Sequence, residues 1–191
     1  MDGMLRVRHN ECFPIFSSWL AKCCSDMPYF GGFEKAPPDW MVPEDWRRRV
    51  EALTPHGTPG TKPDLIIANA VAPGKFKVRI IDFQVAFEDN LEFAKESKKR
   101  HYGPLEAVIK DHLFAENNNS TPDVKVVPII VGARGGIPDD WHEGLALLAT
   151  TPSNTAALAE KLSITAIRGS HKIYMTWLQN AYAAGWNKSN R

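Results

Sequence analysis

Hydrophobic residues recur at helical spacing near the start of the chain. Between residues 4 and 24 they fit one face of a helix. Pro14 can either mark the start of this helix or interrupt its middle. The apolar positions are Leu5, Val7, Phe13, Phe16, Trp19, Leu20 and Cys23. Residues 27–62 are rich in Pro, Gly and Trp, and they are expected to be mostly loop with a short helix around Glu44–Leu53.

The middle of the chain has the alternation that is typical of β-strands. Leu65–Ala70 and Phe76–Phe87 flank the turn sequence VAPGK, which predicts a hairpin. After an expected loop in ENNNSTPD, the segment VKVVPIIVG (124–132) predicts a buried strand. Pro128 within that strand indicates a sheet edge or a bulge.

Helices are predicted after these strands. NLEFAKESKKRHY (90–102) has helical periodicity, Gly103-Pro104 is expected to interrupt it, and a second helix is expected from Leu105 to about Ala115. In IPDDWHEGLALLA, Asp140 and Glu143 predict a capping box at the start of another helix.

Two more helices are predicted at the end of the chain, over 154–167 and 169–185, divided near Gly169. The order of elements indicates a small α/β domain with a helical C-terminal addition. We divide the chain into an N-terminal helix of the core (1–26), a Pro/Gly/Trp-rich loop region (27–61), the central core (62–150) and C-terminal helices packed on it (151–191).

Composition narrows the class of protein. The 191 residues are 43% hydrophobic and 24% charged, which fits a globular rather than a disordered chain. The net charge of +1 does not by itself indicate nucleic-acid binding, so any basic surface must be local. Three Cys, two of them adjacent, form neither a disulfide framework nor a zinc motif, and we expect a reducing intracellular compartment. No apolar run is long enough to suggest a membrane span.

Two Asp residues stand where the predicted hairpin can bring them together. With the turn centred on Pro73, Asp64 falls opposite Asp82, within a residue or two of register. Facing Cβ atoms in such a pair lie roughly 4.5–5.5 Å apart, and like charges there are destabilising. A bound divalent cation such as Mg²⁺ removes the conflict. The alternative is that Asp64 caps a turn after Pro63 and Asp82 lies at a solvent-exposed end of its strand.

The alternation along the second strand adds to this hypothesis. Asp82 and Gln84 end a row of otherwise apolar positions on one face of the strand, an unusual place for a carboxylate. On the helix that follows, Lys98 lies in the less polar stripe, with Tyr102 one turn further on. That stripe is expected to pack on the sheet and direct Lys98 toward the carboxylates, although a Lys at the edge of the stripe can also extend to water.

These residues carry a resemblance to a known family. KPD (62–64), IIDFQVAFE (80–88) and AKESKKRHY (94–102) resemble the restriction-like endonuclease domain of site-specific non-LTR retrotransposons, which belongs to the PD-(D/E)XK nuclease superfamily. RVRHNE (6–11), VVPIIVGARGGIP (126–138) and the terminal LS…RGSHKIYMTWL are similar to other parts of that domain. The resemblance covers most of the chain and is weakest over residues 27–58. It implies a small central mixed sheet flanked by helices, with a C-terminal helical extension.

The resemblance also implies roles for individual residues. Asp64 and Asp82 match the acids that bind Mg²⁺ or Mn²⁺, Lys98 matches the catalytic Lys that this family takes from the helix, and Tyr102 matches its Tyr. Glu11 would supply a further acid from the first helix, as in related resolvases.

Two positions depart from the family pattern. Gln84 stands where the superfamily usually has a strand Lys, and His101 replaces the Lys of the family's K-Y pair. The basic residues expected to contact DNA are Lys95, Lys99, Arg100 and Arg134.

The function implied is a metal-dependent endonuclease that nicks target DNA and so provides a 3′-OH for reverse transcription. Its partners would be DNA and the reverse transcriptase domain of the same polyprotein, and its compartment the nucleus. Two alternatives stay open: a non-catalytic DNA- or protein-binding module with the same fold, which Gln84 and the near-zero net charge favour, and a structure-selective nuclease similar to Holliday-junction resolvases.

Overall fold

The computed structural model describes residues 2–23, 29–31, 40–54, 56–72, 75–116, 121–148 and 152–183. Helix α1 spans Asp2–Cys23, strand β1 Tyr29–Gly31, α2 Trp46–Ala52, β2 Leu65–Ala72 and β3 Lys75–Ala86. A short 3-10 turn at Glu88–Asn90 leads into α3, Leu91–Glu116, which is followed by β4, Asp123–Gly132, by α4, Trp141–Ala146, and by α5, Pro152–Ala183. The chain is therefore a mixed α/β protein.

The four strands found in the described residues form one small mixed sheet in the order β1-β2-β3-β4. β1 and β3 both pair antiparallel with β2, whereas β4 runs parallel to β3. Parallel neighbours need a crossover connection, and α3 supplies it between β3 and β4. β4 lies at the sheet edge, as Pro128 predicted.

Both faces of the sheet are covered by helices. Alternate residues of β3 point to opposite faces, so that Ile81 and Phe83 join a core with α1, α4 and α5, while Val78 and Ile80 join a second core with α2 and α3. Within the described residues, no helix is both long enough and apolar enough to cross a bilayer.

The hairpin register is confirmed. Leu65 pairs with Ile81 and Ala70 with Phe76, and the register shifts only at Ala72. This is the register predicted from a turn at Pro73, although residues 73–74 themselves lie outside the described residues.

The predicted break at Gly103-Pro104 is wrong, because α3 continues through it as a 26-residue helix. Pro104 lacks the N–H that would bond the Arg100 carbonyl, which costs about 3 kcal/mol or more in a helix interior. The helix nevertheless buries side chains both before and after the Pro, which offsets that cost. These buried residues are Ala94, Tyr102, Leu105, Val108, Ile109 and Leu113.

The predicted division of the C-terminal region at Gly169 is also wrong, because α5 is one helix of 32 residues. Gly169 is buried against α1, where an added Cβ would lie 3.1 Å from both Arg8 Cγ and Glu11 Oε2. The Gly permits a close helix–helix approach rather than ending a helix.

Two local predictions also need correction. Asp140 is the N-cap residue of α4 but makes no side-chain capping bond, because its carboxylate pairs with Lys95 instead. The expected loop of residues 27–62 contains the strand β1, which is too short to show a period. Residues 32–39 of that loop lie outside the described part, and the short helix predicted near Glu44–Leu53 is confirmed as α2.

Candidate active site

Asp64 and Asp82 meet at the end of the hairpin ladder. The last antiparallel pair is Leu65 with Ile81, and one position further the same register sets Asp64 opposite Asp82. Asp64 Oδ2 accepts a hydrogen bond from the backbone N–H of Phe83 at 2.7 Å, which ties the chain before β2 to β3. The juxtaposition predicted from the sequence is therefore present.

Asp82 is a carboxylate in an environment that excludes water. Only 4% of the residue is exposed. Its Oδ1 accepts a hydrogen bond from the Tyr102 hydroxyl at 2.7 Å, and its Oδ2 lies 2.6 Å from Lys98 Nζ. Burial raises the pKa of Asp82, the Lys98 charge opposes that rise, and the Asp64 charge adds to it. The ion pair with Lys98 thus partly offsets the cost of the buried charge.

Helix α3 supplies both partners of Asp82. Lys98 and Tyr102 lie one turn apart and project toward β3 together. Tyr102 is buried, and its hydroxyl also lies 3.0 Å from the Lys62 carbonyl, so it connects α3 with the segment that leads to Asp64. Burial, followed by the nearby Asp82 charge, raises the pKa of the Tyr102 hydroxyl, which remains a donor rather than a base.

His9 of α1 also belongs to the site, a position to which the sequence analysis assigned no role. Its Nε2 lies 3.3 Å from Asp64 Oδ2, and the ring stacks on Phe13 at 5.3 Å and meets Phe83 edge-on at 5.8 Å. The hydrogen bond with Asp64 raises the pKa of His9. The only signal in the sequence was its place in RVRHNE, because nothing local relates residue 9 to residue 64.

Glu11 does not join the pair of carboxylates. Its Oε1 lies 2.6 Å from Lys172 Nζ of α5. In the part of the chain that the structure describes, no group of three His, Cys, Asp or Glu side chains has the spacing of a metal site. The further acid expected from α1 is therefore directed to a helix–helix ion pair.

Gln84 and His101, the two positions that the resemblance singled out, lie beside the site. Gln84 follows Asp82 by two positions on the same face of β3 and is half-buried. His101 packs edge-on against Tyr102 at 4.7 Å. Burial and the charge of Lys98 lower the pKa of His101, so the ring is neutral near pH 7 and adds no second cation.

The four basic residues expected to contact DNA differ in their surroundings. Lys95 pairs with Asp140 and Glu92, Lys99 Nζ lies 2.7 Å from Glu96, and Arg134 Nε lies 3.0 Å from Glu88. Arg100 is exposed. DNA phosphates would therefore have to compete with acidic side chains of this chain at three of the four positions.

The chain matches no protein-family model, and it matches none of the curated proteins. The chemistry of the site therefore has to be argued from its own residues. Two apposed carboxylates offer the oxygen ligands that hard divalent cations prefer, and Lys98 places a cation beside one of them.

Proposed function

We propose that this chain is a metal-dependent DNA endonuclease with a core of the PD-(D/E)XK type. The observation that carries the proposal is the 2.6 Å approach of Lys98 Nζ to the buried Asp82 Oδ2, with Asp64 opposite in register. An acid pair that can hold a divalent cation, together with a nearby Lys, suits hydrolysis of a phosphodiester.

The carboxylates fit a divalent cation. Among the described residues, the buried Asp82 Oδ2 has one partner, the Lys98 ammonium, which compensates its charge through an ion pair. Mg²⁺ or Mn²⁺ held by Asp64 and Asp82 would complete its coordination with water and substrate oxygens, as this ion does at sites with one or two carboxylates. When bound, the ion would supply an acidified water and offset charge on the phosphate.

The other residues position these groups. The Phe83 N–H and His9 hold Asp64 Oδ2, and the Tyr102 hydroxyl holds Asp82 Oδ1, so that each acid keeps one oxygen fixed. Lys98, with 27% of its side chain exposed, can reach a phosphate at the protein surface. Its ammonium would donate to the water or to a phosphate oxygen as negative charge develops in the transition state.

The wider role rests on the resemblance of the motifs to the retrotransposon domain. We propose that the enzyme nicks one strand of target DNA and leaves a 3′-OH for reverse transcription by a reverse transcriptase domain of the same polyprotein, in the nucleus. The local basic groups Lys95, Lys99, Arg100 and Arg134 would contact the DNA backbone after release from their acidic partners.

The test is cleavage of supercoiled plasmid in Mg²⁺ or Mn²⁺ by the wild type, Asp64→Ala and Asp82→Ala. The wild type is expected to produce open-circular plasmid that a DNA polymerase extends from the nick, and both variants are expected to lose at least about 10²-fold in rate. Equal activity in wild type and Asp82→Ala would refute the proposal.

A non-catalytic DNA-binding module is the second candidate, and one observation favours it. Lys98 and Tyr102 already occupy both Asp82 oxygens, so the carboxylate has partners without any metal. This candidate predicts metal-independent DNA binding that Asp64→Ala leaves unchanged, together with no cleavage by the wild type.

A further inference from the structure

Arg8 of α1 is a buried cation with few partners. The residue is 4% exposed, its Nη1 donates to Ser170 Oγ at 3.3 Å, and its Nε makes no hydrogen bond with any residue that the structure describes. The guanidinium carbon lies 5.3 Å from the ring centroid of Phe87, within the range of a cation–π contact. A guanidinium has five N–H donors, and the hydrogen bonds found for Arg8 in the described structure use one of them.

No carboxylate of the described residues forms an ion pair with Arg8. Glu88 is the acid whose charge acts on it most, yet the Glu88 oxygens accept hydrogen bonds from Arg134 and from the Gly136 N–H. Burial lowers the pKa of Arg8. A buried charge without an ionic partner is costly, which is typical of a residue kept for a ligand.

Arg8 lines a pocket of about 310 Å³ between β3 and the start of α3. The other residues that matter there are the polar Gln84, Asn90 and Ser97 and the aromatic Phe87 and Phe93. Phe87 is 58% exposed and Phe93 is 72% exposed. The pocket therefore combines a cation for an anionic group, amides and a hydroxyl for polar edges, and aromatic faces for a planar group.

The pocket adjoins the candidate active site. Gln84 follows Asp82 by two positions, about 7 Å along the strand, and Ser97 directly precedes Lys98. The pocket therefore lies close enough to a phosphate held at Asp82 to take a nearby nucleotide of the same DNA strand.

We propose that this pocket holds one nucleotide of a DNA strand whose base is unpaired, with its phosphate on Arg8 and its base on Phe93. The inference rests on the proposed endonuclease function for the choice of DNA as the ligand, and it makes DNA with an unpaired nucleotide beside the nick the preferred substrate. A base within a duplex has its faces covered by its neighbours, whereas an unpaired base can stack on an exposed Phe. Gln84 and Asn90 lie where they can bond the edge of such a base.

The test is binding in EDTA, measured by the fluorescence anisotropy of labelled DNA at fixed salt. The probes are a short single-stranded oligodeoxynucleotide, the duplex of the same sequence, and a strand of equal length made of abasic deoxyribose phosphate. The proteins are the full chain in its wild-type form, Arg8→Met, Phe93→Ala and Arg6→Met as a matched control, since Arg6 is an exposed cation of the same helix.

The wild type is expected to bind the single strand more tightly than the duplex. Arg8→Met and Phe93→Ala are each expected to raise Kd for the single strand by about 5- to 100-fold, and Arg6→Met is expected to stay within about twofold. Only Arg8→Met should weaken binding of the abasic strand. A wild type without preference for the single strand, or a Phe93→Ala protein that binds it as the wild type does, would overturn the inference.

Thermal unfolding separates a ligand role of Arg8 from a structural one. The melting temperature of Arg8→Met is expected to equal or exceed that of the wild type, because the variant removes a buried charge. A lower melting temperature with an unchanged Kd would make Arg8 structural and overturn the inference. If Arg8→Met does not fold, the Kd of Phe93→Ala for the single strand tests the inference instead. The Phe93 side chain is mostly exposed, so its removal is expected to leave the fold intact.

The outcome is distinguishable from failure of the nuclease proposal. If the wild type nicks plasmid and Phe93→Ala binds single strands as the wild type does, the inference about the pocket is refuted and the nuclease proposal stands. If the wild type binds single strands through Arg8 and Phe93 but does not nick plasmid, the nuclease proposal is refuted and the pocket stands as a DNA-binding site.

Discussion

Asp82 carries its charge where water does not reach it. Tyr102 and Lys98 compensate the two oxygens, but burial still raises the pKa of the carboxyl, so that folding works against the ionised form. A residue retained at a cost in stability is typical of a functional site. The position is thus better explained by chemistry than by packing.

Asp82→Asn is therefore expected to leave the free energy of unfolding at pH 7 in EDTA equal to or above that of the wild type. The Asn keeps the acceptor for Tyr102 and removes the buried charge, and Lys98 can extend to solvent. Urea unfolding checks this, with the exposed Asp89→Asn as the control, expected within about 0.5 kcal/mol of the wild type. A loss above about 1 kcal/mol in Asp82→Asn would show that the ion pair serves stability.

The sequence predicted part of the site at this scale. Asp64 and Asp82 follow from the hairpin register, and Lys98 and Tyr102 from the helical period, because both patterns are local. The contact of His9 with Asp64 depends on how α1 packs against the sheet, and no local pattern describes that packing. Arg8 was missed for the same reason, since its burial depends on α5 and on the loop at Phe87.

At the scale of elements, the segment before β2 must approach α3 closely. A Cβ on the buried Gly60 would collide with the His101 carbonyl oxygen and come within 3.0 Å of Tyr102 Cδ1. The Tyr102 hydroxyl lies 3.0 Å from the Lys62 carbonyl in the same segment. The placement of Asp64 therefore depends on a Gly four residues earlier.

Gly60→Ala is expected to destabilise the protein by about 1–3 kcal/mol, because backbone has to move, and to lower cleavage by about 10- to 100-fold as Asp64 shifts. Gly103→Ala is the matched control, since an added Cβ in the interior of α3 meets nothing within 4 Å apart from its two neighbours in the chain. It should stay within about 1 kcal/mol of the wild type, because the gain in helix propensity is opposed by the contact of the new Cβ with the Pro104 ring. Urea unfolding and plasmid nicking measure both effects, and equal stability of the two variants would contradict the account.

A second contact between elements predicts a dependence on pH. Arg79 of β3 is buried and donates to the Asp123 carboxylate at 2.5 Å at the start of β4. This hydrogen bond lowers the pKa of Asp123, so its contribution to stability is present above the unfolded pKa of about 3.9 and is lost as pH falls through the folded pKa.

Asp123→Asn is expected to lower the free energy of unfolding at pH 7 by about 1 kcal/mol, a modest value because the carboxylate is half exposed. The difference from the wild type should be smaller at about pH 3, because that pH lies below the unfolded pKa of Asp and the carboxylate begins to be protonated. Urea unfolding at the two pH values tests this, with the exposed Asp111→Asn as the control. The same deficit at both values would show that the pair does not act through its charge.

The errors of prediction at this scale have one physical origin. Pro104 and Gly169 were expected to end helices on local grounds, yet both lie inside long ones. At Pro104 the helix is held by side chains buried before and after it, and at Gly169 the missing side chain makes room for α1. Tertiary packing outweighed local preference at both positions.

At the scale of the whole molecule, a small mixed sheet lies between two layers of helices. One layer contributes His9 and Arg8, the other contributes Lys98 and Tyr102, and the two Asp residues come from the hairpin between them. The α/β class and the register followed from the sequence, whereas the packing of α1 and α5 on the sheet did not. The proposed hydrolytic centre lies where these three layers meet.

The most direct measurement of this claim is the single-turnover rate of plasmid nicking in Mg²⁺ by Lys98→Met. Lys110→Met is the control, a Lys of the same helix that pairs with Glu106. The account predicts a loss of about 10²- to 10³-fold for Lys98→Met and a rate within about twofold of the wild type for Lys110→Met. Nicking by Lys98→Met at the wild-type rate would contradict it.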